Sequence, residues 1–198
     1  MSDFKEFFSK NADSYANSQS HKKGEDLIQL IQALNPVVSD TAIDLASGTG
    51  FTAMELASRV SKVVAFDGTR EMLEKAKALA SERGIGNIEY VLGDVSELPY
   101  PESTFDIITC RRAAHHFTDK KKFLSELFRT LKKGGRMGLV DMAVPEAPRY
   151  RILEFFLKGT EEEILKREIA KIDGFRPVEV INLNPYSKAN YLIRLKKF

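Results

Sequence analysis

Short apolar segments alternate with helical segments along most of the chain, and this alternation restricts the possible folds more than any other feature. Apolar runs that end in glycine, aspartate or polar turns predict five strands, at Thr41–Leu45, Lys62–Phe66, Asn87–Val91, Phe105–Thr109 and Arg136–Val140. Apolar residues at helical spacing predict intervening helices, at Phe51–Arg59, Arg70–Arg83 and Lys120–Leu131. This alternation is typical of βαβ units, whose parallel sheet carries helices on both faces.

The end of the chain departs from this pattern. A helix is predicted near Glu161–Ile172, followed by strands at Phe175–Leu183 and Ala189–Lys196. The turn residues Asn184–Ser187 lie between the two strands and predict a hairpin, because so short a connection joins antiparallel neighbours. One of the last two strands should therefore run antiparallel to the rest of the sheet.

Ahead of the first strand, the sequence predicts two helices, Asp3–Ala16 and Lys22–Leu34, joined by a polar loop over residues 16–20. A length of 198 residues suits one domain and is short for two. We therefore expect a single domain over residues 1–198. Within it, residues 1–35 should form N-terminal helices and a lid, and residues 36–198 should form the core.

Composition and charge argue against several classes of protein. The formal net charge is +2, and the basic residues are dispersed, whereas a nucleic-acid-binding face concentrates them. The single cysteine, Cys110, excludes an internal disulfide and is expected to be buried and inert. No apolar run approaches the roughly 20 residues that cross a bilayer, and the N-terminus lacks the apolar core of a signal peptide. We expect a cytoplasmic protein with no nucleic-acid, membrane or metal partner.

A glycine-containing loop follows the first strand, in the segment Asp44–Gly50. Ligands on an open α/β sheet bind outside the carboxyl ends of the strands, where the strand order reverses. Glycines there allow a sharp turn and a close approach of the backbone, and the next helix directs its free N–H groups to the same place. The second strand is followed by Asp67, an acid that could accept hydrogen bonds from ribose hydroxyls.

The loop also fits a weak dinucleotide-binding pattern, Gly48-x-Gly50-x-x-Ala53. Asp44 distinguishes a dinucleotide from a cationic ligand, because a buried carboxylate would repel a pyrophosphate and attract a positive charge. S-adenosylmethionine (SAM) carries both an ammonium and a sulfonium group. A nicotinamide-dependent oxidoreductase stays open as an alternative, as does a purely structural role of Asp44 in capping the loop.

Six motifs occur in one order along the chain: Ala42–Gly50, Val64–Asp67 with Glu71–Leu73, Gly93–Tyr100, Phe105–Arg111, Ala114–Phe117 and Leu131–Arg136. Together they resemble the class I SAM-dependent methyltransferases, and within them the type 11 group, which includes enzymes similar to those of ubiquinone and menaquinone biosynthesis. The resemblance covers about Tyr15 to Pro145. It is specific for SAM binding and says little about the methyl acceptor.

The resemblance implies a set of residues around the methionine end of SAM. These are the Asp44 side chain, the backbone of Ala46, Gly48 and Gly50, and the carbonyl of Arg111. Ala46 departs from the family pattern, which usually has glycine there. Alanine is tolerated at this position unless the backbone needs a positive φ angle.

The nucleoside end is implied to contact a second set of residues. Asp67 would bind the ribose hydroxyls, and the backbone near Gly68 and the side chain of Met72 would flank the adenine. Asp94 would accept from the adenine amino group, and Val95 would pack on the ring.

Further residues are candidates for closing the site and for catalysis. The segment Tyr15–His21 is a candidate lid over the cofactor, which is also where the resemblance places it. Either His115 or His116, after the fourth strand, could act as a general base, since histidine titrates near neutral pH. His21 is a weaker candidate. The aromatic residues Phe4, Phe7 and Phe8 share one face of the first helix and are expected to pack it against the sheet.

The implied fold is α/β: a Rossmann-like, doubly wound sheet of seven strands in the order 3-2-1-4-5-7-6, with strand seven antiparallel and helices on both faces. The implied activity is methyl transfer from SAM to an acceptor that the sequence does not identify and that we expect to be a small molecule. The alternative is a SAM-binding protein without catalysis, acting as a sensor or assembly partner. The short segment Met142–Thr160 predicts an acceptor site that is open or is completed by a second subunit of a homodimer.

Overall fold

Seven strands and six α-helices have described bounds in the computed structural model, which describes residues 2–141, 167, 169–171, 175–182 and 191–197. The strands are β1 (Thr41–Leu45), β2 (Lys62–Asp67), β3 (Ile88–Leu92), β4 (Phe105–Arg111), β5 (Leu131–Asp141), β6 (Phe175–Asn182) and β7 (Tyr191–Lys197). The helices are α1 (Ser2–Asn17), α2 (Gln19–Lys23), α3 (Glu25–Leu34), α4 (Phe51–Ala57), α5 (Arg70–Glu82) and α6 (Lys120–Thr130). A short 3₁₀ turn, Ala114–His116, follows β4.

The strands form one sheet in the order β3-β2-β1-β4-β5-β7-β6. Strands β1 to β5 pair in parallel, whereas β7 is antiparallel to both of its neighbours, β5 and β6. The predicted strand order and the predicted antiparallel seventh strand are therefore confirmed. The order reverses between β1 and β4, which places the carboxyl ends of these two strands beside the crevice where ligands bind in such sheets.

Alternating side chains of the strands supply two separate cores, one on each face of the sheet. On one face, Ile43 and Leu45 of β1 lie in a cluster with the fully buried Phe123 of α6. On the other face, Ala42 lies in a cluster with residues of α3, α4 and α5, such as Leu30. Both faces of the sheet are thus apolar, which explains why the strands are continuous apolar runs.

The N-terminal helices differ from the expected pattern. Residues 16–20, which were expected to form a polar loop, are largely helical, and the chain turns at Ser18 and again at Gly24. Gly24 has an extended backbone conformation and separates α2 from α3. The helix predicted over Lys22–Leu34 is therefore divided between the end of α2 and the whole of α3. The apolar periodicity on which this helix was predicted lies entirely within α3.

The fifth strand begins five residues before the expected Arg136, because Leu131 already pairs with Phe105 of β4. The segment Met142–Thr160 and the turn Asn184–Ser187 lie outside the described residues. Of the helix expected near Glu161–Ile172, only Arg167 and Ile169 are described as helical. None of the helices in the described ranges is long and apolar enough to cross a bilayer.

Candidate active site

A cavity of about 230 Å³ lies at the carboxyl ends of β1 to β4. Ten of the eleven residues expected to contact the cofactor line it: Tyr15, Asp44, Ala46, Gly48, Asp67, Gly68, Met72, Asp94, Val95 and Arg111. The eleventh, Gly50, directly precedes the first residue of α4. The sheet therefore brings together residues that are far apart along the chain.

Asp44 is a buried carboxylate at the end of β1, with only 1% of its surface exposed. Its Oδ1 accepts a 2.7 Å hydrogen bond from the Thr109 hydroxyl of β4. Its Oδ2 has no well-formed hydrogen bond to any described residue, although the backbone N–H of Ala53 still favours the ionised form. Burial raises the pKa of Asp44 to about 7. A buried carboxylate oxygen without a full partner is costly unless a ligand supplies a donor.

A second buried acceptor in the same wall points to the same conclusion. The Oγ atom of Ser47 is also buried and lacks a hydrogen-bond partner among the described residues. Both Ser47 and Asp44 line the cavity. These two atoms fit a ligand that carries an ammonium group, because such a group has three donors to offer.

Asp67, at the end of β2, joins the glycine loop to the sheet. Its Oδ2 accepts a 2.7 Å hydrogen bond from the Gly48 N–H, and its Oδ1 accepts a 2.8 Å bond from the Thr69 N–H. Burial raises the pKa of Asp67, and the backbone donors of Gly48 and Thr69 oppose that rise. Each carboxylate oxygen has further lone pairs, so both can still accept from a diol in the cavity.

The loop backbone explains the residue types in this segment. Ala46 has φ 50°, Gly48 has φ 53° and Gly50 has φ 79°, so all three are left-handed. A Cβ at Gly50 would lie 2.9 Å from the Ala76 Cβ of α5, so glycine is also required there for close packing. Ala46 therefore has the positive φ angle that was expected to disfavour alanine at this position.

Replacing Ala46 by glycine should raise the free energy of unfolding by about 1 kcal/mol, since the left-handed conformation costs a residue with a Cβ about 1–2 kcal/mol. The greater freedom of glycine in the unfolded chain offsets part of that gain. Gly48→Ala is the matched control, because a Cβ there would meet no atom within 4 Å and only the backbone cost changes. Urea denaturation should show Ala46→Gly stabilised and Gly48→Ala destabilised; the opposite order would contradict the strain.

The nucleoside half of the cavity lies over β2 and β3. Asp94 follows β3, and its Oδ1 accepts from both the backbone N–H and the hydroxyl of Ser96, at 2.9 and 2.7 Å. Met72 of α5 is buried, and Val95 packs against the core below the sheet edge. A flat apolar surface with a carboxylate beside it suits a purine that offers an amino group.

The N-terminal helices contribute to the cavity an aromatic cover, which consists of Phe8, Tyr15 and His21. The rings of Phe8 and Tyr15 lie 5.7 Å apart, Tyr15 and His21 lie 5.0 Å apart, and Phe8 reaches His116 at 5.4 Å. Phe8, Tyr15 and His21 all line the cavity. Phe8 was expected to pack against the sheet and instead faces the cavity, while Phe7 is 54% exposed; the side chain of Phe4 lies outside the described residues.

Charge-assisted hydrogen bonds join α3 to the end of β4. Asp26 of α3 is 3% exposed and accepts from Nε of Arg111 at 2.6 Å and from Nη2 of Arg112 at 2.9 Å. Burial alone would raise the pKa of Asp26, but the hydrogen bonds and charges of Arg111 and Arg112 hold it below its ordinary value. Arg111 also donates to the His21 carbonyl at 3.2 Å.

The two histidines expected to be catalytic occupy different places. His116 lines the cavity, whereas His115 is absent from its lining and points to β5. His115 Nδ1 lies 2.7 Å from Asp141 Oδ1, and the His115 backbone N–H donates to Asp141 Oδ2 at 3.0 Å. The two imidazole rings are in contact, with centroids 3.9 Å apart. His115 is therefore placed to orient His116.

The sequence reasoning missed Thr109, Asp26, Arg112 and Asp141 as parts of the site. Asp141 carried a signal, because it ends β5 just as Asp67 ends β2, and Asp44 is the last residue but one of β1. Thr109 could have been found from the strand order, since β1 and β4 are neighbours and Thr109 pairs with Asp44. No local signal marked Asp26. Cys110 is buried, as expected, and burial raises the pKa of its thiol well above the ordinary value.

Within the described ranges, no three His, Cys, Asp or Glu side chains are grouped closely enough to hold a metal ion.

Comparison with known proteins gives a consistent family. A methyltransferase-domain family of type 11 matches residues 43–139. The uncharacterized methyltransferase YcgJ of Bacillus subtilis is 40% identical over 141 residues, which are 71% of this chain and 56% of YcgJ. The ubiquinone/menaquinone biosynthesis C-methyltransferase UbiE of Francisella tularensis subsp. novicida is 38% identical over 113 residues, which are 55% of this chain and 45% of UbiE.

Solved structures agree with the fold. The crystal structure of YcgJ from Bacillus subtilis superposes with a TM-score of 0.72 and 24% identity, covering 88% of this chain and 99% of that one. The chain spans about half the length of the curated relatives that it matches. Since the family match, the relatives and the fold agree, the chain belongs to the class I SAM-dependent methyltransferases, in their type 11 group.

Proposed function

We propose that this protein transfers a methyl group from SAM to a small-molecule acceptor. The observation that carries the proposal is Asp44, a buried carboxylate with one incompletely satisfied oxygen in the wall of the cavity. This arrangement suits a cationic nucleoside and disfavours the pyrophosphate of a dinucleotide, which argues against the oxidoreductase alternative.

The residues of the chain divide the work of binding. Asp44 and Ser47 would hold the ammonium group, and Asp67 would accept from the ribose hydroxyls. Asp94 and Val95 would hold the adenine. When bound, SAM supplies a methyl group already activated by its sulfonium, so the protein needs mainly to orient the acceptor and exclude water.

The aromatic cover would exclude water from the site. Phe8 and Tyr15 of α1 line the cavity, and a dry site favours a reaction in which the charge on sulfur disappears. His116 would face the acceptor and could take its proton. His115, held by Asp141, is proposed as a positioning residue for His116 rather than a catalytic one.

Names of relatives support a small-molecule acceptor. The relatives include enzymes named for methylation in ubiquinone and menaquinone biosynthesis, and a small-molecule acceptor for this chain is proposed by analogy with them. The absence of nucleic-acid and membrane partners, a homodimer and a cytoplasmic location stay predictions.

The direct test is calorimetric titration with SAM, followed by incubation with labelled SAM and fractionated cell extract. We expect binding at micromolar SAM and transfer of label to a low-molecular-mass product, with release of S-adenosylhomocysteine. Binding without transfer to any fraction would favour the alternative of a SAM-binding protein without catalysis. Failure to bind SAM would overturn the proposal.

The pH dependence of SAM binding provides a sharper test of Asp44. Only the ionised carboxylate attracts an ammonium group, and the pKa of Asp44 is raised to about 7. Affinity should therefore rise about tenfold between pH 5.5 and pH 7, as expected for a group that ionises over this range. Asp44→Asn should bind SAM more weakly and lose this dependence; a profile unchanged in Asp44→Asn would mean that another group titrates.

The unliganded protein should show the opposite trend with pH. Because the folded state binds the Asp44 proton more tightly than the unfolded state does, this carboxyl lowers stability as pH rises from about 4 through 7. Urea denaturation of wild type and Asp44→Asn at these two pH values would show the difference, with the variant less sensitive to pH.

A further inference from the structure

The cluster that joins α3 to the end of β4 carries more positive than negative charge. Asp26 accepts hydrogen bonds from Nε and Nη2 of both Arg111 and Arg112, at 2.6 to 3.0 Å. One carboxylate thus faces two guanidinium groups whose side chains are only 5% and 11% exposed. Two further carboxylates act on these guanidinium groups from outside the cluster, Asp44 on Arg111 and Asp141 on Arg112.

Arg112 has a hydrogen-bond donor that no described residue accepts from. Its Nε and Nη2 donate to Asp26, and its Nη1 makes no hydrogen bond within the described part of the chain. Asp141 is the other carboxylate that acts on Arg112, and its two oxygens already accept from His115. Burial and the charge of Arg111 lower the pKa of Arg112, and Asp26 offsets this only in part.

The backbone of Arg112 is strained. Its φ is 57°, a left-handed conformation that arginine rarely adopts, and its N–H donates to the Val140 carbonyl of β5 at 2.6 Å. Strain of this kind is concentrated at functional sites, where it positions a side chain. Arg112 lines the cavity, so the guanidinium group is part of the wall that a ligand would meet.

By strand order, Arg112 lies on the β5 side of the three acids proposed to bind SAM. Of the three acids proposed to bind SAM, Asp94 follows β3, Asp67 ends β2 and Asp44 is the last residue but one of β1. Arg112 follows β4, on the side of β5. The aromatic rings of Phe8, His116 and Phe117 line the same cavity.

Building on the proposed function, we propose that Arg112 binds a carboxylate or phenolate oxygen of the methyl acceptor, which is therefore a small organic anion with a ring-sized apolar body. A guanidinium group forms strong, charge-assisted hydrogen bonds to such oxygens. The oxyanion would accept from Nη1 of Arg112, which donates to no described residue, while the aromatic side chains would contact the apolar body. The carboxylate of SAM itself is the other source of the same chemistry, and the experiment separates the two.

The test uses benzoate and benzamide, which have nearly the same shape and differ in charge. Their binding to protein saturated with S-adenosylhomocysteine is measured by NMR titration. Wild type should bind benzoate at least tenfold more tightly than benzamide. Arg112→Asn should abolish that preference, since asparagine tolerates a positive φ and leaves Arg111 paired with Asp26, and Arg112→Lys should restore part of it.

Arg59→Gln is the charge-matched control, because Arg59 pairs with Glu55 on the surface. It should keep the full preference. A preference that survives in Arg112→Asn, equal binding of the two probes to wild type, or binding of neither would overturn the proposal. Thermal denaturation would confirm that Arg112→Asn is folded.

A second titration identifies the source of the oxyanion. Arg112→Asn should bind S-adenosylhomocysteine within about twofold of wild type. A loss of more than tenfold that is absent with decarboxylated S-adenosylhomocysteine would place the cofactor carboxylate on Arg112 and overturn the proposal. If wild type fails to bind S-adenosylhomocysteine at all, the proposed methyl transfer fails, and the benzoate titration of the ligand-free protein still decides the role of Arg112.

Discussion

Replacing Asp26 by alanine should lower the free energy of unfolding by about 3–5 kcal/mol, the range for removing one partner from a buried ion pair. The loss arises because Arg111 and Arg112 would keep their charges in a poorly hydrated wall without the carboxylate that pairs directly with both of them. The helix α3 would also lose its polar link to β4 beneath the aromatic cover. Urea denaturation at pH 7 measures the change.

A surface ion pair provides the control for this prediction. Glu55 pairs with Arg59, and both side chains are more than 40% exposed, so Glu55→Ala should cost less than about 1 kcal/mol. A loss for Asp26→Ala as small as that for Glu55→Ala would mean that water hydrates the two arginines without Asp26. Arg112→Asn should be milder than Asp26→Ala, because one ion pair of the cluster then remains.

Replacing Asp67 by alanine should weaken SAM binding by about 1.5–3 kcal/mol, the range for hydrogen bonds to a charged group. Both carboxylate oxygens have lone pairs left for a ribose diol after they accept from Gly48 and Thr69. The variant also loses the bonds from Gly48 and Thr69 that hold the loop. Calorimetric titration with SAM measures the change in affinity.

Asp106→Ala separates loop stability from ligand contact. Asp106 likewise accepts a backbone N–H, from Thr41 at 2.9 Å, and pairs with Lys132, but it does not line the cavity. Both variants should lose stability, and only Asp67→Ala should lose affinity for SAM. Unchanged affinity in Asp67→Ala would remove Asp67 from the binding site.

The sheet was predictable because its signals are local. Each of the first five strands is a short apolar run that ends near a turn, and the parallel strands need that composition because both faces are covered. The hairpin at the chain end was readable from turn residues between two strands. The bounds were less accurate, as at β5, where pairing with β4 extends the strand beyond its apolar centre.

Part of the site was also readable from local pattern. The positions of Asp44 and Asp67 follow from the strand ends, because a parallel sheet brings its carboxyl ends to one edge. The positive φ angle of Ala46 could not be predicted, because the sequence gives only the residue type, whereas the folded loop sets the angle. The conformation of the loop depends on its bonds to Asp67 and to the next strand.

The order of residues along the chain was enough to indicate the elements and the acids at the strand ends, because periodicity and strand ends are properties of short segments; the order of the strands in the sheet was implied by the resemblance to the methyltransferases. Contacts across the chain needed the folded molecule. Asp26 and Arg112 are 86 positions apart, and Asp44 and Thr109 are 65 apart. Such pairs form only when helices and strands take their final positions, so neither residue of a pair carries a local sign of its partner.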